Sequence, residues 1–338
     1  MISFLTSAKS FDGPARQIQL KAIRSWMRLD SDVEIFLYGS SAGAEQVCHD
    51  LRITYIPEIE SSPGGPPYLN AILSHAEIHA KHDLQMYVNC DIIFCSPLVE
   101  LLTTLNMPEF LIVGQRINLN SDATIDIGDK DVASQVISLA SRGKVALEGP
   151  DAMDYFVFQR GTLGDVGPLI IGRFGYDSAL VATCLRKGIP IIDATLSIIA
   201  LHEDHGYDHV QGGRDGILYR REGEQNKRLH GILHSAPNTA DAHFMLVGKE
   251  LIPICCRSDS LRRLELYFRF TLGITPAWLL LRAFWRFLVA TGIYSPPRIE
   301  MDDMFNVFLG LGKDENSLNP RWIKDNILFA YRKSKARR

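Results

Sequence analysis

The stretch QMYVNCDIIF, residues 85–94, decides the fold class of this 338-residue chain. It is a nearly continuous run of apolar, aromatic and β-branched residues, interrupted mainly by Asn89 and Asp91. Such a run is typical of a strand that is covered on both faces, as in a parallel sheet. We therefore expect residues 85–94 to form a buried strand.

Short β-prone runs alternate with helical patterns on both sides of this strand. The predicted strands are Ile2–Thr6, Val33–Tyr38, Ile53–Ile56, Phe110–Gly114, Tyr155–Phe158 and Ile189–Leu201. The predicted helices are Ala15–Met27, Ala44–Leu51, Tyr68–His82 and Ser178–Lys187. This order predicts an open α/β sheet flanked by helices. In such sheets, ligands bind beyond the carboxyl ends of the strands.

The charge of the chain is unevenly distributed. The net charge is -3, but residues 257–338 contain 15 Lys and Arg against 8 Asp and Glu, which makes that segment basic. Arginines there alternate with Leu, Phe and Trp at helical spacing. We predict a boundary that separates residues 1–256 from a helical C-terminal region, residues 257–338.

The six cysteines form no CxxC pair and no spacing typical of a disulfide framework, which favours a reducing compartment. The N-terminal sequence lacks a secretory signal pattern. The longest apolar window, near Ala277 to Ile293, is interrupted by Arg282 and Arg286, so we predict no membrane-spanning helix. We expect a cytoplasmic protein.

The first candidate site is Asn89-Cys90-Asp91. On a strand, the i, i+2 spacing would place Asn89 and Asp91 on one face. Burial of a carboxylate is costly unless it is paired, protonated or bound to a cation. A metal-bound Asp91 would explain the pattern. An Asp91 that caps the next helix, or that pairs with an Arg, would explain it equally well.

The second candidate is the segment that begins at His202 and continues through Glu203, Asp204, His205 and His209. Histidine is a common metal ligand. A three-histidine zinc site is one interpretation, but no fourth ligand is evident. A single histidine that joins Asp91 at a divalent cation is favoured over it, and a polar surface loop is the alternative.

Two further segments place aspartates next to predicted elements. Asp177 follows Gly172 and Gly175 at a helix start, where it could cap the helix or act as a general base. Asp151 and Asp154 precede the predicted strand Tyr155–Phe158, where they could bind an acceptor hydroxyl or form a turn. The chain contains no GxGxxG, GxxxxGK[ST], HExxH or GxSxG motif.

Several of these segments, in this order, resemble bacterial GT-A glycosyltransferase domains related to the family 2 transferases. The matching stretches are ISFLTSAKSFDG, IQLKAIRSW, PPYLNAIL, YVNCDIIF, DAMDYFVFQRG, IGRFGYDSALVATCLRKGIPIIDAT, LHEDHGYDHVQGG and NTADAHF, across residues 1–250. The resemblance implies a GT-A-like, mostly parallel sheet flanked by helices, with a C-terminal helical appendage. It also implies a nucleotide-sugar donor and a Mn²⁺ or Mg²⁺ cofactor.

The resemblance implies roles for individual residues. Asn89-Cys90-Asp91 matches the DxD-type motif with Asn in its first position, so Asp91 is the expected metal ligand, together with His202. Asp177 matches the base of inverting members, and Asp154 is the second candidate. Thr6, Ser7, Asn70 and Asn89 match positions near the donor. The expected activity is hexosyl transfer to a glycan or lipid-linked acceptor, as in polysaccharide biosynthesis.

Two other functions stay open. A nucleotidyltransferase would also use an α/β nucleotide fold, but it would need a glycine-rich basic loop, and FLTSAKSFDG has one Lys and one Gly. A degenerate domain that serves as a non-catalytic scaffold is the other alternative, and Asn89 is its only support.

The basic C-terminal region carries a prediction of its own. Leucine, phenylalanine and tryptophan at helical spacing, interleaved with arginine, suit an anionic membrane surface rather than nucleic acid. The protein would then be peripheral on the inner face of the cell membrane. The alternative is that these helices pack on the catalytic domain or form a dimer interface.

Overall fold

The computed structural model describes residues 1–94, 98–103, 105–128, 132–203, 221–232, 236–254, 260–293, 299 and 301–308. The strands are β1 Ile2–Ser7, β2 Val33–Tyr38, β3 Thr54–Ile56, β4 Leu84–Val88, β5 Ile92–Phe94, β6 Leu111–Val113, β7 Ile117–Leu119, β8 Val145–Leu147, β9 Tyr155–Gln159, β10 Ile191–Asp193, β11 Ala200–Glu203, β12 Phe244–Val247 and β13 Glu250–Pro253. The helices are α1 Pro14–Met27, α2 Ala44–Leu51, α3 Leu69–His79, α4 Leu98–Thr103, α5 Val132–Ser141, α6 Tyr176–Lys187, α7 Arg221–Leu229, α8 Ser260–Leu266, α9 Thr275–Ala290 and α10 Met301–Phe308.

The main sheet has nine strands in the order β13-β12-β10-β6-β9-β4-β1-β2-β3. Strand β1 pairs in parallel with β2 and β4, and β10 pairs in parallel with β6 and β12. Strand β9 is antiparallel to both of its neighbours, and β13 is antiparallel to β12. The predicted α/β class, with a mostly parallel sheet flanked by helices, is confirmed.

Both faces of the main sheet are buried under helices. On one face, Phe4 of β1 lies in a core cluster with Trp26 of α1 and Val47 of α2. On the other face, Leu5 lies in a second cluster with residues of α3 and α6, such as Leu180. Burial on both faces explains why the strand sequences are apolar without alternation.

The predicted single strand at residues 85–94 is wrong in one respect, because it is two strands in two sheets. Strand β4 ends at Val88, a turn follows at Asn89–Asp91, and β5 joins a second, four-stranded sheet in the order β5-β11-β7-β8. The backbone amide of Ile92 donates to the carbonyl of Asn89 at 3.1 Å, which closes the turn. Trp26 Nε1 donates to the carbonyl of Ile92 at 2.8 Å and anchors β5 on α1.

The predicted strand Ile189–Leu201 is likewise divided. Strand β10 belongs to the main sheet and β11 to the second sheet. The Asp193 carboxylate accepts from the backbone amide of Thr195 at 2.9 Å, and the amide of Ser197 donates to the carbonyl of Ala194. These bonds form a turn that is itself fully buried, so the apolar sequence runs through it without a visible break.

Part of the C-terminal region packs on the body of the protein. Arg262 of α8 forms two hydrogen bonds of 2.9 Å with the Asp241 carboxylate and one of 2.9 Å with Glu265. Arg269, in the short π-helix Tyr267–Thr271 that follows α8, lies 4.8 Å from the centre of the Trp278 ring. Met304 of α10 is buried in the same core cluster as Phe4. Helices α8 and α10 therefore follow the alternative prediction, in which the C-terminal helices pack on the body of the protein.

Helix α9 is different, because several of its large apolar side chains are exposed, among them Leu280 and Phe284. Within the described residues, no helix has both the length and the apolar character needed to cross a membrane. Residues 257–259, 294–298, 300 and 309–338, which belong to the predicted membrane-binding region, lie outside the described residues.

Candidate functional site

The carboxyl edge of the main sheet brings together one acid and two basic side chains from three chain segments. Asp91 lies in the turn after β4, Lys9 in the loop after β1, and His202 on β11. Lys9 Nζ donates to Asp91 Oδ2 at 3.2 Å, and His202 Nε2 lies 3.9 Å from the same oxygen. The register of the second sheet produces this contact, because His202 is aligned with Ile92, the residue after Asp91.

The donors at this cluster fit a divalent cation in part. Two bonds of about 2.1 Å each can span up to about 4.2 Å, so one ion can reach both Asp91 Oδ2 and His202 Nε2. Carboxylate and imidazole are suitable ligands for Mn²⁺, and carboxylate for Mg²⁺. Within the described residues, no group of three or more His, Cys, Asp or Glu could hold a metal, so further ligands would have to come from substrate or water.

The side chain of Asn89 points to a second cluster rather than to Asp91. Asn89 Nδ2 donates to Asp154 Oδ1 at 2.5 Å, and Asn89 Oδ1 accepts from the Tyr176 hydroxyl at 2.9 Å. Arg116 Nη1 forms an ion pair with Asp154 Oδ2 at 2.7 Å. The expectation that Asn89 and Asp91 share one face of a strand is therefore wrong, because residues 89–91 form a turn that sends the two side chains to different partners.

Asp177 lies in the first turn of α6, directly after Tyr176. Gly175 caps the helix in a left-handed conformation with φ +91°, so Asp177 is not the capping residue. Its Oδ1 accepts from the backbone amide of Ser178 at 2.7 Å. Burial, and next to it the negative charges of Asp154 and Asp151, raise the pKa of Asp177 to about 7.

The two candidate bases therefore have different surroundings. The Asp154 carboxylate is balanced by the Arg116 guanidinium and is hydrogen-bonded to Asn89. Asp177 has the acid Asp154 as a neighbour, which opposes its ionisation. When two nearby acids have environments this different, they are suited to different roles.

Of the remaining predicted ligand residues, Thr6 and Ser7 lie at the same edge, whereas the cavity beside Asn70 includes Gln85 near the start of β4. Thr6 is fully buried, and its hydroxyl donates to the carbonyl of Val88 at 2.7 Å. Ser7, the last residue of β1, is aligned with Tyr38 at the end of β2. Asn70, in the first turn of α3, lines a cavity of about 300 Å³ together with Gln85. Their roles in donor binding stay predictions.

Three residues of the clusters were not singled out from the sequence as site residues: Lys9, Arg116 and Tyr176. Lys9 follows the first strand, and a cation in a loop at a carboxyl edge is a usable signal for anion binding. Arg116 and Tyr176 could not be found in this way, because their partners lie 38 and 87 residues away along the chain. The histidines His205 and His209 lie outside the described residues, so the three-histidine zinc interpretation stays untested.

Comparisons with known proteins find similarity among solved structures only. No protein-family model matches the chain, and no curated protein matches it in sequence. Glucosyl-3-phosphoglycerate synthase from Mycobacterium tuberculosis, in complex with Mn²⁺, uridine diphosphate and phosphoglyceric acid, is similar at 16% identity and a TM-score of 0.40, over 70% of this chain and 80% of that chain.

A second similar structure is a "putative nucleotide-diphospho-sugar transferase" from Desulfovibrio desulfuricans G20. It is 11% identical with a TM-score of 0.35, over 68% of this chain and 96% of that chain. At these identities and TM-scores, the similarity does not transfer an activity, a ligand or a site residue to this chain.

Proposed function

We propose that this protein is a glycosyltransferase that uses a divalent cation to transfer a hexosyl group from a nucleotide-sugar donor to an acceptor hydroxyl, with inversion. The observation that carries the proposal is the cluster of Lys9, Asp91 and His202 at the carboxyl edge of the sheet. The resemblance of ordered sequence motifs over residues 1–250 supports the same class.

We assign the donor half of the reaction, in which the nucleoside diphosphate leaves, to the cluster of Lys9, Asp91 and His202. A nucleoside diphosphate leaving group gains negative charge as the bond to the sugar breaks. A Mn²⁺ or Mg²⁺ held by Asp91 and His202 would neutralise part of that charge as a Lewis acid. Lys9 adds a fixed positive charge 3.2 Å from Asp91 Oδ2, where it can pair with a phosphate oxygen. The nucleotide would extend from there along Thr6, Ser7 and Asn70.

The acceptor half of the reaction falls to Asp177. Inversion requires a base that takes the proton from the acceptor hydroxyl while its oxygen attacks the anomeric carbon. A base works best when its pKa lies near the working pH, and burial raises the pKa of Asp177 to about 7. Asp154, paired with Arg116, is the second candidate, and its hydrogen bond to Asn89 suits a positioning role.

The acceptor and the cellular setting are parts of the same proposal. A glycan or a lipid-linked acceptor, as in polysaccharide biosynthesis, supplies the required hydroxyl. Among the described cysteines, Cys48, Cys90 and Cys184 are free and buried, which suits a cytoplasmic, reducing setting.

A screen of nucleotide-sugars, followed by product analysis, tests the proposal. A ligand at 100 times its Kd stabilises the folded state by about 2.7 kcal/mol, which thermal shift detects. The donor that stabilises the protein should release nucleoside diphosphate with Mn²⁺ or Mg²⁺ and much less with EDTA. Release of pyrophosphate from a nucleoside triphosphate and a sugar phosphate would instead identify a nucleotidyltransferase. Donor binding without turnover, with every acceptor class tried, would identify a scaffold.

A further inference from the structure

Helix α9 has an unusual distribution of apolar residues. Its sequence, TPAWLLLRAFWRFLVA, is apolar nearly all round, with Arg282 and Arg286 as its only charged residues. Trp278 is buried, and Trp285 and Leu288 are half-buried on the side that faces the body. A helix that is apolar all round normally requires burial on every side.

The opposite side of α9 is exposed to solvent. Leu280 is 73% exposed, Phe284 52% and Phe287 57%. Their spacing of four and three residues places them in one stripe along the helix. Ile274 and Ile293, beyond the two ends of α9, are also exposed. The described structure therefore presents a long apolar stripe to solvent, which marks an interaction surface.

Most arginines of this region lie away from the exposed apolar stripe of α9. Arg262 is paired with Asp241 and Glu265, and Arg269 packs against the rings of Phe270 and Trp278. Arg286 alone lies on the exposed side of α9. The arginine-rich surface expected from the sequence is thus divided: the arginines near α8 hold the region on the body, and the exposed part is apolar.

Charge indicates which partner covers the stripe. Residues 309–338, which follow in the chain, contain eight Lys and Arg against three Asp and Glu. Arg286 on the exposed side of α9, and the basic residues that follow in the sequence, would be attracted to anionic lipid headgroups. A second copy of this chain is a poorer partner, because α9 carries two arginines and no acidic residue, so a two-fold interface on α9 would bring like charges together. At 16 residues, α9 is also shorter than the roughly 20 residues that a spanning helix needs.

We propose that α9 docks on an anionic lipid surface, with Leu280, Phe284 and Phe287 inserted at the boundary between headgroups and acyl chains. The helix lies in the plane of the membrane and does not cross it. The basic C-terminal sequence adds electrostatic attraction that salt screens. This inference goes beyond the proposed transfer reaction and does not depend on it.

Vesicle binding by the full-length protein tests the proposal. Co-sedimentation would compare vesicles of neutral phosphatidylcholine with vesicles that also contain phosphatidylglycerol, at low and high salt. The variant Leu280→Gln/Phe284→Gln/Phe287→Gln should bind anionic vesicles at least about tenfold more weakly, since it removes the apolar insertion. The matched control is Met27→Gln/Ile78→Gln/Leu229→Gln, which changes three exposed apolar residues elsewhere and should bind like the unmodified protein.

The unmodified protein provides a readout that does not depend on how the variants fold. It should co-sediment with the vesicles that contain phosphatidylglycerol at low salt, and much less with neutral vesicles or at high salt. Absence of binding to anionic vesicles at low salt overturns the proposal. So does a dimer in light scattering that the α9 variant converts to monomer while vesicle binding stays unchanged, because a second copy would then be the partner.

Discussion

Two turns at the carboxyl edge of the main sheet interrupt apolar runs, and they differ in what surrounds their aspartates. After β4, Asp91 keeps 15% of its side chain exposed and contacts Lys9 and His202, which come from distant segments. At the end of β10, Asp193 is buried, and the backbone amide of Thr195, two residues away, donates a hydrogen bond of 2.9 Å to its carboxylate. An aspartate at a strand end therefore indicates a functional site when its partners are cations from other elements. When its partners are neighbours in the sequence, it indicates a structural turn.

A raised pKa does not make this distinction on its own. Burial raises the pKa of Asp193 to about 6 and that of Asp177 to about 7. Asp193 accepts hydrogen bonds from Thr195, and Asp177 accepts one from the backbone amide of Ser178, and these bonds lower each pKa in part. Asp177 differs in that the negative charges of Asp154 and Asp151 raise its pKa further. Asp193 is therefore a structural acid, and Asp177 is the candidate for chemistry.

The largest expected effect is that of Asp177→Asn on transfer. Loss of a general base typically costs about 10²–10⁴-fold in rate, while donor binding should persist. In the unmodified protein, kcat/KM should rise with pH through about 7, because the base must be ionised. Steady-state kinetics across pH would measure both.

Two results would contradict this assignment. A greater loss in Asp154→Asn than in Asp177→Asn would move the role of base to Asp154. A product with retained anomeric configuration would exclude inversion.

The second-largest expected effect compares the same substitution at the turn after β4 and at the turn after β10. Asp91→Asn should reduce metal-stimulated donor hydrolysis by about 10²–10³-fold, since charge stabilisation of the leaving group is lost. Asp193→Asn is the matched control, because it makes the same change in the comparable turn, and it should leave hydrolysis unchanged. Equal losses in the two variants would show that the comparison between the turns is wrong.

The third effect concerns stability. An acid with a raised pKa in the folded protein stays protonated there at pH values at which it is already ionised in the unfolded chain. Its contribution to the free energy of unfolding is therefore lost as pH rises from the unfolded pKa to the folded pKa. For Asp193 this window runs from about 4 to about 6, and for Asp177 from about 4 to about 7. One pKa unit corresponds to 1.36 kcal/mol, so the free energy of unfolding should fall by at most about 3 kcal/mol across the Asp193 window and at most about 4 kcal/mol across the Asp177 window.

Urea unfolding at several pH values would measure these windows. The difference in unfolding free energy, Asp193→Asn minus unmodified protein, should increase up to pH 6 and then level off. The corresponding difference for Asp177→Asn should keep increasing to about pH 7. Two difference curves of the same shape would mean that the two acids do not have different environments.

The elements predicted well from the sequence are those with a clear period and a clear end. Helix α2, Ala44–Leu51, and strand β2, Val33–Tyr38, have the predicted bounds, because turn residues flank them. The division of residues 85–94 and 189–201 could not be predicted, since a turn buried between two sheets needs no polar surface and leaves the apolar run intact.

The candidate site was predictable only where one residue type is unusual in its place. Asp91 and His202 stand out against apolar neighbours, and the structure brings them within 3.9 Å. The pairing of Asp154 with Arg116 was not predictable, since it depends on the register of distant segments. Lys9 could have been noticed as a cation in a loop at the carboxyl edge, but its contact with Asp91 spans 82 residues of sequence.

The smallest expected effect tests whether Lys9 shares Asp91 with a bound cation. Lys9 Nζ donates to the same oxygen that lies 3.9 Å from His202 Nε2, so the ammonium and a divalent ion draw on one carboxylate. Lys9→Met should raise the KM for the donor by roughly tenfold, since a charge-assisted hydrogen bond contributes about 1.5–3 kcal/mol. The same variant should lower the Mn²⁺ concentration needed for half-maximal activity, because one competitor for Asp91 is removed. Lys21→Met is the control, as Lys21 pairs with Glu203 on the same strand as His202 but has no contact with Asp91 among those the structure describes. If Lys21→Met changed the KM for the donor and the Mn²⁺ requirement in the same directions as Lys9→Met, the effects would not come from the contact with Asp91. Lys9 would then serve only to hold the loop after β1 in place.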